Sequence, residues 1–183
     1  NAIGKDYPIS FRFAADENTL DGRSIAEARM VARYAQDLGF DLINCSNGVY
    51  GTYNPGQVSS HWYPHAWTIN NAIELKKVVD IPVIGVNRIT DPLMAEQLIE
   101  MGSCDIIGMA RASLADPDLP KKAFSGNFTE IRPCIGCVQG CVTSLSKGYG
   151  VRCLVNPEIG HETEYDYKPQ PIPKKILVIG GGV

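Results

Sequence analysis

Along the first 111 positions apolar residues recur in two alternating rhythms. YPISFRFA (residues 7–14) is a short β-rich run that stops before a polar loop, DENTLDGR. Ile25, Ala28, Val31, Ala35 and Leu38 then fall at helical spacing, one stripe of a 3.6-residue period. Ser24 and Glu27 supply the S-x-x-E pattern of a capping box, and Gly39 stands where a C-terminal cap belongs. DLINCS predicts the next strand, and a helix is expected around NNAIELKKVV. IPVIGVN is a continuous apolar run, as in strands buried on both faces. Asp91-Pro92 opens another helix with proline at its first position, Gly102 closes it, and CDIIGMA reads as the last strand of the series.

Four strands alternating with helices predict parallel βα units in an α/β fold. Two architectures fit, a doubly wound open sheet or part of a TIM (β/α)8 barrel. Eight such units need about 250 residues, so four are half a barrel. Arg12, Asn87, Arg88 and Arg111 stand at or near the carboxyl ends of these strands, where either architecture places ligands. By itself Arg12 reads as a strand-end arginine paired with a neighbouring acid. After residue 111 the rhythm stops. SLADPDLPKKAFSG predicts one short helix ending at Gly126, YDYKPQPIPKK a proline-rich extended connector, and KILVIGGGV an apolar strand running into glycines.

Composition narrows the class of protein. The 183 residues are 44% hydrophobic and 20% charged, as in a globular chain with one core of ordinary size. A net charge of -3 offers no cationic field for nucleic acid or anionic lipid. No stretch approaches the roughly 18 apolar residues of a membrane span. The N-terminus shows no signal-peptide pattern, so a cytoplasmic protein is expected. A first residue other than Met and an end at GGGV suggest a segment of a longer chain.

Four of the six cysteines crowd one segment. Cys45 and Cys104 lie in apolar runs and read as buried small hydrophobes. Cys134, Cys137, Cys141 and Cys153 have the spacing C-x2-C-x3-C-x11-C. That spacing can wrap a cubane cluster, three irons held locally and the fourth by the remote thiolate. Gly136 and Gly140 would let the backbone bend closely around it. Thiolates also bind zinc, but structural zinc sites more often pair two C-x2-C knuckles, and one is present. A disulfide framework ranks last without a secretory signal.

The long loop between residues 46 and 67 carries Tyr50, Tyr53, His61, Trp62, Tyr63, His65 and Trp67. Its length points to function, and aromatic walls suit flat conjugated substrates. Pro64 argues against a helix presenting His61 and His65 as metal ligands. Gly180 and Gly182 begin a G-x-G-x-x-G fingerprint whose third glycine and phosphate-binding helix fall beyond residue 183.

CIGCVQGC, with CLVNPEIGHE from Cys153, resembles the iron-sulfur segment of the bacterial 2,4-dienoyl-CoA reductase and enoate reductase family of NADH:flavin oxidoreductases, relatives of trimethylamine dehydrogenase. IPVIGVNRI followed by Asp91-Pro92, and then GMARASLADPDL, are similar to the family's seventh and eighth barrel strands. The resemblance covers most of the chain. It implies an old-yellow-enzyme-like barrel holding FMN, a 4Fe-4S cluster beside it, and a C-terminal domain for FAD and NAD(P)H. Electrons would pass from nicotinamide through FAD and the cluster to FMN, which reduces an activated C=C bond. On that plan residues 1–126 are the C-terminal half of the FMN barrel, 127–165 the cluster segment, and 166–183 a linker with the first strand of a Rossmann-like FAD/NAD(P) domain.

Site residues carry over by position. The resemblance implies Arg12 beside flavin N1, Asn87, Arg88, Ala110 and Arg111 around the FMN phosphate, the four cysteines on the cluster, and Gly180 and Gly182 as a partial FAD fingerprint. The commoner family pattern has glycine at Asn87 and Ala110, whereas Asn-Arg-Ile occurs in the dienoyl-CoA reductase branch. The family's proton donor and carbonyl-binding residues belong to the other barrel half, so no catalytic residue is assigned. The implied substrate is a small unsaturated acid or acyl-CoA, and the open strand edges of a half barrel favour pairing with another copy. Two alternatives stand: an amine dehydrogenase of the trimethylamine dehydrogenase type, and a non-catalytic zinc-stapled structural or binding fragment.

Overall fold

Local signals set most of the element boundaries. In the computed structural model, which describes residues 4, 6–49, 57–165, 168 and 171–180, the order is β1 (Ser10–Ala14), α1 (Ile25–Asp37), β2 (Leu42–Ser46), α2 (Ile69–Lys76), β3 (Val83–Gly85), α3 (Pro92–Glu100) and β4 (Ile106–Ile107). Two short helices follow, α4 (Ala110–Ala115) and α5 (Leu119–Phe124), then a 3-10 turn at Phe128–Glu130. A π-helical turn at Gln139–Thr143 runs into α6 (Ser144–Ser146). The capping box forms as its residues predict: the Ser24 hydroxyl accepts from the Glu27 N–H, and the Glu27 carboxylate accepts from the Ser24 N–H at 2.9 Å. Gly39, at φ +88°, ends α1 in the left-handed conformation that favours glycine. The Asp91 carboxylate accepts from the Leu93 N–H at 2.9 Å, capping α3.

The four strands lie in the order β1-β2-β3-β4, every pair parallel. Alternation divides their side chains between two faces. Phe13, Ile43, Cys45 and Val83 are buried on one face, in a core with Ala28 and Ala32 of α1 and Ala72 and Leu75 of α2. Alanines on the helices let them approach the sheet closely. The other face carries Arg12, Asn44 and Ser46, with Ile84 and Ile106 on the later strands, and no helix among the described residues covers it. In a closed barrel this is the inward face, and the half-barrel expectation holds. Between β3 and β4 the Asp105 carboxylate accepts from the Val83 N–H at 2.9 Å and from Lys76 Nζ at 2.6 Å.

Three expectations change. The apolar runs IPVIGVN and CDIIGMA shorten to three and two paired residues. The extended backbone of the first cannot continue, because Asn87 and Arg88 both adopt positive φ, +87° and +54°. SLADPDLPKKAFSG does not form one helix. The chain is already helical from Ala110, and it breaks at Asp116, whose φ of -141° and ψ of 100° are extended. Pro117 follows Asp116, and the residue before a proline is pushed out of the helical region. Finally, KILVIG forms no strand: Ile176, Leu177, Val178 and Ile179 are exposed, and no described strand pairs with them. Apolar composition favours extension, but a strand exists only against a partner. Tyr50, Tyr53 and Gly182 lie outside the described residues. No helix among the described residues is long and apolar enough to cross a membrane.

Gly85 sits where β3 meets the helical layer. A Cβ there would come within 2.8 Å of both Cys104 Sγ and Ile69 Cδ1. Gly85→Ala is expected to cost about 1–3 kcal/mol by overpacking, read as a lower urea midpoint at unchanged m-value. Adding Cys104→Ala should recover part of the loss.

Candidate functional site

The polar residues at the carboxyl ends of the strands gather in two places. Arg12 lies on the uncovered face, where its Nη1 donates to Asn44 Oδ1 at 2.7 Å and its Nη2 to Ser46 Oγ at 3.1 Å. Among the described residues no acidic partner pairs with it, and two neutral groups of the adjacent strand hold it instead.

The second place is the turn after β3 and the start of α4. Ser59, which is buried, joins them. Its hydroxyl donates to Asn87 Oδ1 at 2.5 Å and accepts from the Trp67 indole N–H. Its backbone carbonyl accepts from Arg111 Nη1 at 2.6 Å. Asn87 is itself buried, and its Nδ2 has no acceptor among the described residues. A buried donor left unpaired costs about 1–3 kcal/mol, so an anionic acceptor bound here would be favoured. Arg88, next along, has its carbonyl 3.0 Å from His65 Nδ1. Ala110 is the first residue of α4 and Arg111 the second. An unpaired amide N–H, a guanidinium in a helix first turn and two left-handed backbone units fit a phosphate group.

The four clustered cysteines line a single pocket of about 350 Å³, counting its open mouth, and Arg111 and Arg152 stand in the same wall. All four are free thiols, each partly buried. Among the described residues no three His, Cys, Asp or Glu side chains converge on a point that one metal ion could occupy. Four thiolates lining one pocket are a donor set that soft metals take, zinc and iron-sulfur clusters among them.

Glycines bring the walls together. A Cβ on Gly140 would lie 2.5 Å from the Arg152 carbonyl oxygen and 3.1 Å from Cys153 Cα, so only glycine lets the returning Cys153 segment cross the turn that bears Cys141. Gly136, at φ +67°, has its carbonyl accept from the His61 N–H at 2.9 Å, tying the aromatic loop to the first two cysteines. Burial raises the Cys141 thiol above its ordinary range, opposed by the Val142 N–H and then by the Arg111 guanidinium.

Asp116 and Asn156, which spacing did not single out, hold the cysteine segment to the barrel end. The buried Asp116 carboxylate accepts from Lys122 Nζ at 2.6 Å, the Arg132 N–H at 2.8 Å and the Asp118 N–H at 3.1 Å. Asn156 Nδ2 donates to the Leu114 carbonyl at 2.9 Å. The Asp-Pro dipeptide was the available signal for the first. In the aromatic loop Trp67 is committed to Ser59, whereas Trp62 is 82% exposed and its ring lies 4.7 Å from that of His61.

A parallel α/β half barrel with polar groups gathered at the carboxyl ends of its strands belongs to the class of barrel enzymes, and the family match makes it a flavin-dependent oxidoreductase barrel. Residues 1–130 match the model of the NADH:flavin oxidoreductase / NADH oxidase family, and the chain belongs to that family. It is 40% identical over 183 residues to an NADH oxidase of Thermoanaerobacter brockii, covering 99% of this chain and 28% of that protein. It is 33% identical over 194 residues to a cinnamate reductase of Clostridium sporogenes, covering 98% of this chain and 29% of the relative. A dimethylamine dehydrogenase of Hyphomicrobium sp. is 36% identical over 196 residues, with coverages of 99% and 25%. Among solved structures, a 2-naphthoyl-CoA reductase complex superposes with a TM-score of 0.82 at 28% identity, over 87% of this chain and 24% of that one. The chain thus spans under a third of the length of these relatives.

Burial works to raise Asp116, but the hydrogen bonds from Lys122 and from the Arg132 and Asp118 N–H groups outweigh it and hold the carboxyl below its ordinary range. Such a group contributes stability above its unfolded pKa and loses it as pH falls through the lower folded value. Asp116→Asn should therefore cost about 3 kcal/mol at neutral pH, the cost of breaking a buried pair. The gap from the parent should narrow as urea titrations step below about pH 4.

Proposed function

We propose that this chain forms the flavin-phosphate end and the electron-relay segment of an NAD(P)H-dependent reductase of activated C=C bonds, of enoate or 2,4-dienoyl-CoA type. The observation that carries the reading is Arg111. Its guanidinium binds the Ser59 carbonyl in the phosphate-type node, and the residue also lines the cysteine pocket. One side chain so placed belongs to two adjoining redox sites. The cinnamate and naphthoyl-CoA reductases among the relatives favour an unsaturated acid or acyl-CoA as substrate.

Bound FMN would supply hydride chemistry and a 4Fe-4S cluster single-electron transfer. The chain's own residues have simpler tasks. Arg12 sets a cation at the carboxyl ends of β1 and β2, beside the flavin ring on this reading. Arg111 and the unpaired Asn87 Nδ2 hold the phosphate, with Arg88 and Ala110 flanking it. Cys134, Cys137, Cys141 and Cys153 hold the cluster. Residues 166–183, with Gly180 and Gly182, lead toward the part of the protein that takes FAD and NAD(P)H.

The test uses the full-length protein purified without oxygen. About four irons and four acid-labile sulfides per chain are expected, with FMN at one per chain, and Cys141→Ser should lose the cluster absorbance. Zinc without sulfide would sink the cluster reading. NADH consumption with cinnamate-type enoates is expected to exceed any dehydrogenation of methylated amines; turnover of the amines alone would mark an amine dehydrogenase.

A further inference from the structure

The parallel register pairs Arg12 with Asn44 and Ala14 with Ser46. Paired residues of neighbouring strands point to the same face, so Arg12, Asn44 and Ser46 share the uncovered one. The guanidinium does not stop at its own level. It bonds Asn44 directly opposite and Ser46 two residues further toward the carboxyl end of β2. Two acceptors at different heights fix both the direction and the roll of the planar group.

Both acceptors are neutral. Other cations near the sheet and its loops are matched by carboxylates: Arg23 with Glu17, Arg29 with Glu74, and Lys76 with Asp105. Arg12 has no such partner among the described residues. The ionisable neighbour behind it is Cys45, whose thiol burial pushes up to about 12, against the opposing pull of Arg12. At neutral pH that thiol carries no charge. Of the five N–H groups of a guanidinium, two are spent on Asn44 and Ser46.

We infer that Asn44 and Ser46 are positioning residues that aim the Arg12 guanidinium at the carboxyl ends of the strands while themselves adding no negative charge beside it. The inference rests on the reading of Arg12 as a flavin neighbour. A carboxylate at either position would hold the arginine equally well in shape, yet it would cancel the field that stabilises an anionic reduced flavin. An amide and a hydroxyl orient without cancelling.

The measurement is the two-electron midpoint potential of FMN in the full-length protein, by dye-coupled spectroscopic titration. The variants are Arg12→Gln, Asn44→Ala, Ser46→Ala and Ser46→Thr, with Asn44→Ala and Ser46→Ala repeated in the Arg12→Gln background. Arg12→Gln is expected to weaken binding of reduced relative to oxidised flavin about tenfold, a fall of about 30 mV for a two-electron couple. Asn44→Ala and Ser46→Ala should each lower the potential by a smaller amount and add nothing once Arg12 is gone, while Ser46→Thr restores the parent value. Thermal melts report folding separately. A potential that responds to Arg12→Gln but not to Asn44→Ala or Ser46→Ala overturns the positioning role and leaves the flavin reading standing. A potential and FMN affinity indifferent to Arg12→Gln overturn both.

Discussion

The relative placement of the two sites depends on the buried carboxylate of Asp116. It lies at the end of a six-residue helix, α4, and gathers donors from Lys122, Asp118 and Arg132. Arg132 stands two residues before the first clustered cysteine, and Asn156, three residues after the last, bonds the Leu114 carbonyl of the same helix. Both arms of the thiol-bearing segment are thereby fastened to α4. The first turn of that helix carries Arg111, fixed to Ser59. A short rigid element held at both ends thus sets the distance between the phosphate-type node and the cysteine pocket. Long loops could not hold that distance by themselves, because each added residue widens the set of accessible geometries.

What the sequence made legible was whatever acts over a few residues. The Ser24–Glu27 box, the Asp91-Pro92 start and the helical stripe from Ile25 to Ala35 are local, and they form as read, whereas Leu38, the last of the stripe, lies just past α1 and is exposed. Cysteine spacing is local too, and the four thiols do share one pocket. Strand extent is another matter. IPVIGVN and KILVIG look alike as apolar runs, yet one pairs over three residues and the other over none, because pairing is decided by neighbours far along the chain. The Ser59 node was illegible for the same reason. Its bonds reach 28 residues to Asn87 and 52 to Arg111, and nothing in the local pattern around a loop serine marks it as their meeting point. The split at Asp116 lay within reach, since Pro117 forbids the helix from running through it.

Asn87 shows how a strained backbone position can be physically coherent. At φ +87° the position suits glycine, and asparagine is among the few other residues that tolerate the left-handed region. Glycine would relieve the backbone but offer no side chain. Asparagine accepts the conformational cost and gains a bond from Ser59, which links the β3 turn to the aromatic loop and, through the Ser59 carbonyl, to Arg111. Its Oδ1 is consumed in that link while its Nδ2 stays buried and unpaired. A residue kept only to brace the turn would gain nothing from an unpaired donor. The same side chain therefore both builds the node and presents a buried amide donor within it.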